Sequence, residues 1–154
     1  MTTQDDAGRS AGASEGTVVV TETSAGGFTR QISAGQQQLV ADEPPPVGDD
    51  TGPTPYDLVL AGLGACTSMT ARMYADRKRW PLEAIRVTLR HSRIHAKDCA
   101  DCETTNGYIA QIDCDVELTG DLDDTQRQRL LYIAERWPVH QTLTSEVRIT
   151  TSLS

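Results

Sequence analysis

The first ordered pattern in the chain is Thr17-Val-Val-Val-Thr-Glu-Thr, rich in β-branched residues and therefore read as a strand. Ser24-Ala-Gly-Gly follows as a turn. In Phe28-Thr-Arg-Gln-Ile-Ser apolar and polar positions alternate, so Phe28, Arg30 and Ile32 share one face. Ala34-Gly35 punctuates again, and Gln37-Gln-Leu-Val-Ala reads as a third strand. Three short strands joined by tight turns predict an antiparallel meander.

The prolines and glycines of Asp42-Glu-Pro-Pro-Pro-Val-Gly-Asp-Asp-Thr-Gly-Pro exclude both helix and ladder. The next segment, Thr54-Pro55-Tyr56-Asp57, is a helix start. Thr54 caps, Pro55 suits the first helical position, and Asp57 is the capping-box acid at the positive helix end. The helix is predicted to run to about Arg79, with Leu58, Leu63, Met69, Met73 and many alanines along it, and to close at Trp80-Pro81. Its first half is apolar over more than one face, which predicts a place at the centre of the core. Ile85, Val87 and Leu89 then alternate with Arg86, Thr88 and Arg90, a half-buried strand leading to His91 and His95. After a polar loop, Ile112, Cys114, Val116 and Leu118 alternate with Asp113, Asp115 and Glu117 and put Cys114 on the buried face. Asp123 and Gln126 are spaced to cap a second helix, in which Leu130, Ile133, Ala134 and Trp137 form one stripe that Pro138 ends. Val147, Ile149 and Thr151 predict a last strand. The order βββ-α-ββ-α-β, without strand–helix alternation, reads as α+β with antiparallel sheets.

Composition narrows the function. With 14 Lys+Arg against 22 Asp+Glu the net charge is -8, which argues against nucleic acid and against anionic membranes as partners. No apolar run approaches the ~18 residues of a membrane span, and Met1-Thr-Thr-Gln-Asp-Asp-Ala-Gly is no secretory signal, so the expected setting is cytoplasmic. Leu, Ile, Val and Phe together number 30 of 154, and none falls in residues 1–16. Those residues read as a disordered tail, and residues 17–154 as a single domain whose lean core favours burial against a second copy.

Chemistry centres on the cysteines. Cys66 lies in Leu60-Ala61-Gly62-Leu63-Gly64-Ala65-Cys66, and two glycines inside a helix cost about 1 kcal/mol each against alanine. Small residues permit close backbone approach, so the thiol is expected in a hollow on the helix. A reactive thiol needs access and a group that stabilises the thiolate. The helix start lies about three turns away, too far for its dipole, and Arg30 on the meander is the candidate cation. A buried Cys in a small-residue helix contact is the structural alternative. His91, His95, Cys99 and Cys102 offer the donors of a tetrahedral zinc site or, in the Cys pair, a redox dithiol. The spacing matches no known finger. Asp98, Asp101 and Glu103 crowd the cysteines with negative charge that works against easy oxidation, so a plain surface loop is the third reading. Cys114 and Trp137 are expected in the core, and His140 in a structural place after a helix end. No Ser/His/Asp signature, P-loop or GxSxG elbow is present, and no cofactor is indicated.

The segment Asp50-Asp-Thr-Gly-Pro-Thr-Pro-Tyr-Asp-Leu-Val-Leu-Ala-Gly-Leu-Gly-Ala-Cys-Thr-Ser-Met-Thr resembles the helix motif of the OsmC/Ohr family of osmotically induced and organic hydroperoxide resistance proteins. Arg90-His-Ser-Arg-Ile-His-Ala-Lys-Asp-Cys-Ala-Asp-Cys-Glu resembles the branch with a His and CxxC strand loop, and Pro138-Val-His-Gln-Thr-Leu also fits. The resemblance covers roughly residues 17–152. It implies an intertwined homodimer with two central helices wrapped by sheets and sites at the subunit interface. It also implies that Cys66 is a peroxidatic thiolate, which a hydroperoxide converts to a sulfenic acid. A meander arginine, here Arg30, and a carboxylate near the start of the Cys helix organise such a site. The family's glutamate ten residues before the Cys is replaced by Tyr56, which leaves Asp57 as the orienting group. The family's second, resolving Cys is replaced by Trp137. The expected function is therefore one-Cys reduction of organic hydroperoxides by Cys66, with resolution by an external thiol reductant or by Cys99 or Cys102. The alternative is a non-enzymatic dimer whose interfacial hydrophobic pocket, filled in part by Trp137, binds a small apolar molecule.

Overall fold

A computed structural model describes residues 16–24 and 26–154. The expected N-terminal tail lies outside the described residues but for Gly16. The chain divides into two compact units, one ending at Asp57 and one running from Leu58 to Ser154.

The first unit holds the meander: β1 (Val18–Glu22), β2 (Arg30–Ala34) and β3 (Gln37–Ala41), antiparallel in the order β1-β2-β3. Ala34 pairs with Gln37, so the β2–β3 turn is Gly35-Gln36, with Gly35 at φ 60°. A positive φ at the first turn position is where glycine costs nothing and β-branched residues do not fit. The second strand begins at Arg30, later than the alternation predicted, because Phe28 belongs to the turn. The following loop is organised by one buried carboxylate. Asp42 accepts hydrogen bonds from the Glu43 and Thr51 backbone N–H groups at 2.8 and 3.2 Å and from the Thr51 and Thr29 hydroxyls at 2.7 and 3.2 Å. A Cβ at Gly52 would run into the Val40 carbonyl, so only glycine lets the returning loop lie this close to β3.

Helix α1 (Pro55–Lys78) starts where the cap predicts it. The Thr54 hydroxyl accepts from the Asp57 N–H at 3.2 Å, and the Asp57 carboxylate accepts from the Thr54 N–H at 3.0 Å. It stops at Arg79, in the left-handed region at φ 56°, just before Trp80-Pro81. In the second unit β4 (Leu82–His95) and β5 (Tyr108–Gly120) form one long antiparallel hairpin, in which Leu89 faces Cys114. A 3-10 turn (Ala96–Asp98) opens the hairpin loop. α2 (Asp124–Ala134) carries the predicted capping box: Asp123 accepts from the Gln126 N–H at 2.7 Å, and the Gln126 side chain from the Asp123 N–H at 3.0 Å. A third helix, α3 (Pro138–Thr144), follows.

The architecture is α+β with antiparallel sheets, as the pattern predicts, but four details differ. The core of the second unit is Ala71, Ala75, Leu82, Leu122 and Leu130, so α1 enters it through its second half, while the first half buries Leu63 and Gly64. The alanines let α1 lie close to β4, where Arg72 donates to the Leu82 carbonyl at 2.6 Å, and Arg127 of α2 ties to the Leu118 carbonyl at 2.6 Å. The expected strand at Val147–Thr151 does not form, and Ile149 is 84% exposed. Alternation prepares a segment for a sheet, but a strand also needs an edge to pair with. Cys114 is not a core residue, because its side chain is exposed and borders a cavity instead of a packed layer. Trp137 is not core either: α2 ends at Ala134, one turn before the apolar stripe does, and Trp137 caps α3 at 38% exposure.

Candidate active site

Cys66 sits in the fourth turn of α1 as a free, half-buried thiol. The two glycines beside it play different parts. A Cβ on Gly64 would lie 2.7 Å from Leu89 Cδ1, so this glycine is what lets the helix rest on β4. Gly62 has nothing within 4 Å of its Cβ position and faces open space. Val59, Gly62, Cys66, Met69 and Met73 recur at spacings of three and four, the interval that stacks residues on one helix face. Val59, Met69 and Met73 are exposed, Met69 at 70%. Cys66 therefore lies on an apolar stripe that the second unit leaves uncovered. The predicted hollow on the helix is an open face at Gly62 and a tight contact only at Gly64.

Arg30 and Asp57 fall in the first unit. The Arg30 guanidinium donates to the Gly27 and Thr29 carbonyls, both at 2.9 Å, and pairs with Glu22 at 3.7 Å. It lines a cavity of about 200 Å³ with Phe28, Ala41, Asp42, Glu43 and Pro55. Asp57 is engaged by its cap. The Thr54 backbone N–H, and then the Thr54 hydroxyl at 2.8 Å, hold its carboxyl below the usual range. Asp42 is the acid that the sequence reading missed. The Thr51 hydroxyl above all, with the Glu43 and Thr51 N–H groups and the Thr29 hydroxyl, holds it well below the usual carboxylate range, against the opposing effect of its burial. No short motif announces such a group, because its partners lie up to 13 residues away.

The hairpin loop departs from expectation. Cys99 and Cys102 are joined as a disulfide, despite the acidic neighbours that were expected to oppose oxidation. The charges of Asp98, Asp101 and Glu103 act on the thiolate, whereas a closed disulfide carries no charge to repel. His95 packs on the Tyr108 ring at 4.3 Å, and His91 faces Ile112 across the hairpin. Among the described residues no group of three or more His, Cys, Asp or Glu side chains is placed to hold a metal ion.

Of the cavities in the second unit, two bear on the candidate residues. One, of about 180 Å³, is lined by Thr70, Met73, Tyr74, Arg77, Ile133 and Trp137. Thr70 is 1% exposed, and its hydroxyl has no hydrogen-bond partner. The other, of about 310 Å³, is lined by Cys114, Glu135 and His140 together with Leu63 and Thr67. Burial pushes the Cys114 thiol up, and the charges of Asp115 and Glu135 add to it. His140 thus lies in α3 and faces a cavity, a place that depends on a helix the pattern did not predict.

Residues 48–152 match the family model described as OsmC-like protein. No curated protein matches the chain. Among solved structures, the chain is similar to an OsmC-like protein from Mycoplasma pneumoniae, at 20% identity over 82% of this chain and 85% of that one, with a TM-score of 0.65. It is similar to an organic hydroperoxide resistance protein OsmC from Legionella pneumophila, also described as a predicted redox protein and regulator of sulfide bond formation. There identity is 21% over 83% of this chain and 89% of that one, with a TM-score of 0.58. At such identities the likeness speaks for the fold. Among the described residues no helix is long and apolar enough to cross a membrane.

Proposed function

The chain belongs to the OsmC-like family, and on that premise we propose that it is a cytoplasmic homodimer in which Cys66 reduces organic hydroperoxides with one catalytic thiol per chain. The observation that carries this reading is the free, half-buried Cys66 thiol on the open stripe of α1. The Cys66 thiolate attacks one peroxide oxygen and the O–O bond breaks. The alcohol leaves with a proton and Cys66 becomes a sulfenic acid. A thiol of an external reductant condenses with the sulfenic acid and releases water. A second reductant thiol then attacks that mixed disulfide and frees Cys66. Trp137 stands where a resolving Cys is expected, so both thiols come from outside the site. Arg30, fixed by two carbonyls, is the cation that favours the thiolate, and Asp57 orients the helix start. The uncovered row of Val59, Met69 and Met73 supports an α1 face closed by a second copy, in the intertwined arrangement. The first structural neighbours include one named for hydroperoxide resistance, which agrees with this chemistry.

Stopped-flow mixing of the protein with cumene hydroperoxide tests it. A fast phase that consumes one peroxide per chain and disappears in Cys66→Ser is expected; equal rates in the two proteins remove the catalytic role.

One observation favours a second reading, a non-enzymatic binder of a small apolar molecule. Thr70, with its buried and unpartnered hydroxyl, lines the cavity walled by Trp137, Met73 and Ile133, an almost wholly apolar surface that suits a small apolar ligand. Native mass spectrometry that retains a small ligand, together with a Cys66 slow to alkylate, would choose this reading over the first.

A further inference from the structure

We propose that Cys99 and Cys102 form a second redox centre, a reversible dithiol–disulfide that exchanges electrons with an external neutral dithiol independently of Cys66. Three observations carry it.

The first is that the bond links nothing that needs linking. It closes a segment of sequence separation 3, with Cα atoms 5.5 Å apart. Cross-linking so short a segment removes far less chain entropy than closing a long loop. The hairpin it crowns is already held in register from Leu82–Gly120 to His95–Tyr108. Opening the bond therefore leaves the fold in place.

The second is that the base of the loop is clamped. Ala96 is buried, its N–H donates to the Gly107 carbonyl at 2.8 Å, and the Cys99 N–H donates to the Ala96 carbonyl at 3.2 Å. The His95 ring packs on Tyr108. Two thiols released on such a base stay close enough to close again. Both cysteines are half-exposed, with Ala100 and Asp101 exposed between them, so a reductant can reach them.

The third is distance from Cys66. A Cβ on Gly64 would meet Leu89, so the part of α1 that carries Cys66 crosses the middle of β4, with Cys66 on the face turned away from it. His95 lies six residues farther along that strand, roughly 20 Å at the usual rise per residue, with Cys99 beyond it. On that spacing the pair is a centre separate from Cys66 and not the missing resolving thiol of the same chain.

The exchange balances without a further reagent. One thiolate of the external dithiol attacks a sulfur of the Cys99–Cys102 bond, and the other sulfur leaves as a thiolate that takes up a proton. The second thiol of the reductant loses its proton and attacks the mixed disulfide. The protein pair ends as two thiols and the reductant as a cyclic disulfide, a two-electron transfer that runs in either direction. The rim selects the reductant. Lys97 stands against Asp98, Asp101 and Glu103, so anionic thiols are repelled and neutral dithiols are not.

The test equilibrates the whole native protein in dithiothreitol buffers of graded reduced-to-oxidised ratio. Free thiols are trapped with iodoacetamide and mapped to peptides by mass spectrometry. Cys99 and Cys102 are expected to gain and lose both labels together, reversibly, while circular dichroism stays unchanged. The same cycle is expected in Cys66→Ser. At low salt, reduction by glutathione is expected about tenfold slower than by dithiothreitol at equal thiol, the gap narrowing as salt is raised. Three outcomes overturn the proposal: a pair that never closes in oxidising buffer, a pair that opens only in denaturant, or a cycle lost in Cys66→Ser. Equal rates for glutathione and dithiothreitol at low salt overturn the assignment of a neutral dithiol. A failure of Cys66 to reduce peroxide leaves each of these readouts intact.

Discussion

Helix α1 carries two apolar stripes written in nearly the same residues, and only one is buried. Gly64, Ala71 and Ala75 lie against β4 and α2; Gly62, Met69 and Met73 lie open. Hydrophobicity does not separate them, since the open stripe holds the larger side chains. The difference is what the rest of the second unit offers: small residues let β4 and Leu130 come close on one side, while the other is bordered only at Met73, by the cavity it shares with Ile133 and Trp137, and stays more than half exposed at Met69 and Met73. A helix apolar on two faces is built for two layers, and Cys66 falls on the face whose layer must come from elsewhere. That is the physical content of the homodimer proposal.

The largest test of this contrast removes an anchor from the closed side. Leu130 is fully buried against Ala71, Ala75 and Leu122. Leu130→Ala is expected to lower unfolding stability by about 2–5 kcal/mol, read from urea titration, with no dependence on protein concentration. Met73→Ala, on the open side, is expected to lower the unfolding midpoint in a way that depends on protein concentration, because it acts through association. A midpoint shift for Met73→Ala that is large and independent of concentration would erase the distinction between the stripes.

Gly64→Ala probes the same closed side with a smaller change. The added methyl meets the Leu89 side chain at 2.7 Å, and its overpacking cost of about 1–3 kcal/mol outweighs the ~1 kcal/mol that alanine gains in a helix. A net loss near 1 kcal/mol is expected. Pairing it with Leu89→Ala is expected to cost less than the sum of the two single changes, since the second change removes the atom in the way. Additive costs in this double-mutant cycle would show that Gly64 is not where α1 meets β4.

These contrasts mark how far sequence alone could go. The meander, both helix starts and the end of α1 were legible because their causes are local: Gly35 in its turn, Thr54 with Asp57, Asp123 with Gln126, and Pro81 after Arg79. What was missed depends on neighbours distant in sequence or absent from the unit. Val147, Ile149 and Thr151 have a strand's alternation but no edge to join. Cys114 has a buried residue's phase, yet a cavity and not packed side chains lies over it. Trp137 continues an apolar stripe that the helix itself does not continue. Asp42 gathers donors from residues 29, 43 and 51 and leaves no local signature. Cys66 was legible as a motif, but its place on the uncovered stripe was not, because that depends on which face β4 takes.

The two units also differ in what holds them, and acid exposes the difference. The first leans on a carboxylate, the second on hydrocarbon. Asp42 is held well below the usual carboxylate range, first by the Thr51 hydroxyl. A carboxylate depressed in the folded state binds fewer protons there than in the unfolded chain. Its contribution is therefore fully present above the ordinary Asp value of about 3.9 and is lost progressively as pH falls from there through the depressed folded-state value. Asp57 acts in the same direction, more weakly because it is exposed. Thr51→Val is expected to lower the thermal midpoint near pH 6 and to converge on the parent protein only well below pH 3, as pH falls toward the depressed Asp42 value. A constant offset across that range would mean that the hydroxyl stabilises the loop by packing and not through the charge on Asp42.

The smallest expected effect decides the most. Gly62 has no atom within 4 Å of the place an added methyl would take, and its helical backbone suits alanine. Within a single chain Gly62→Ala therefore raises stability, by about 0.5–1 kcal/mol, because glycine surrenders more freedom on folding and alanine prefers the helix. Gly62 also lies one turn before Cys66 on the stripe assigned to the second copy. There a methyl takes up space that a close helix contact uses, so the gain turns into a loss wherever the dimer forms. Thermal midpoints measured over a hundredfold range of protein concentration separate the two: the variant is expected above the parent at the dilute end and below it at the concentrated end. A variant more stable at every concentration would mean that no second copy approaches this face of α1, and the Cys66 thiol would then stand in open solvent.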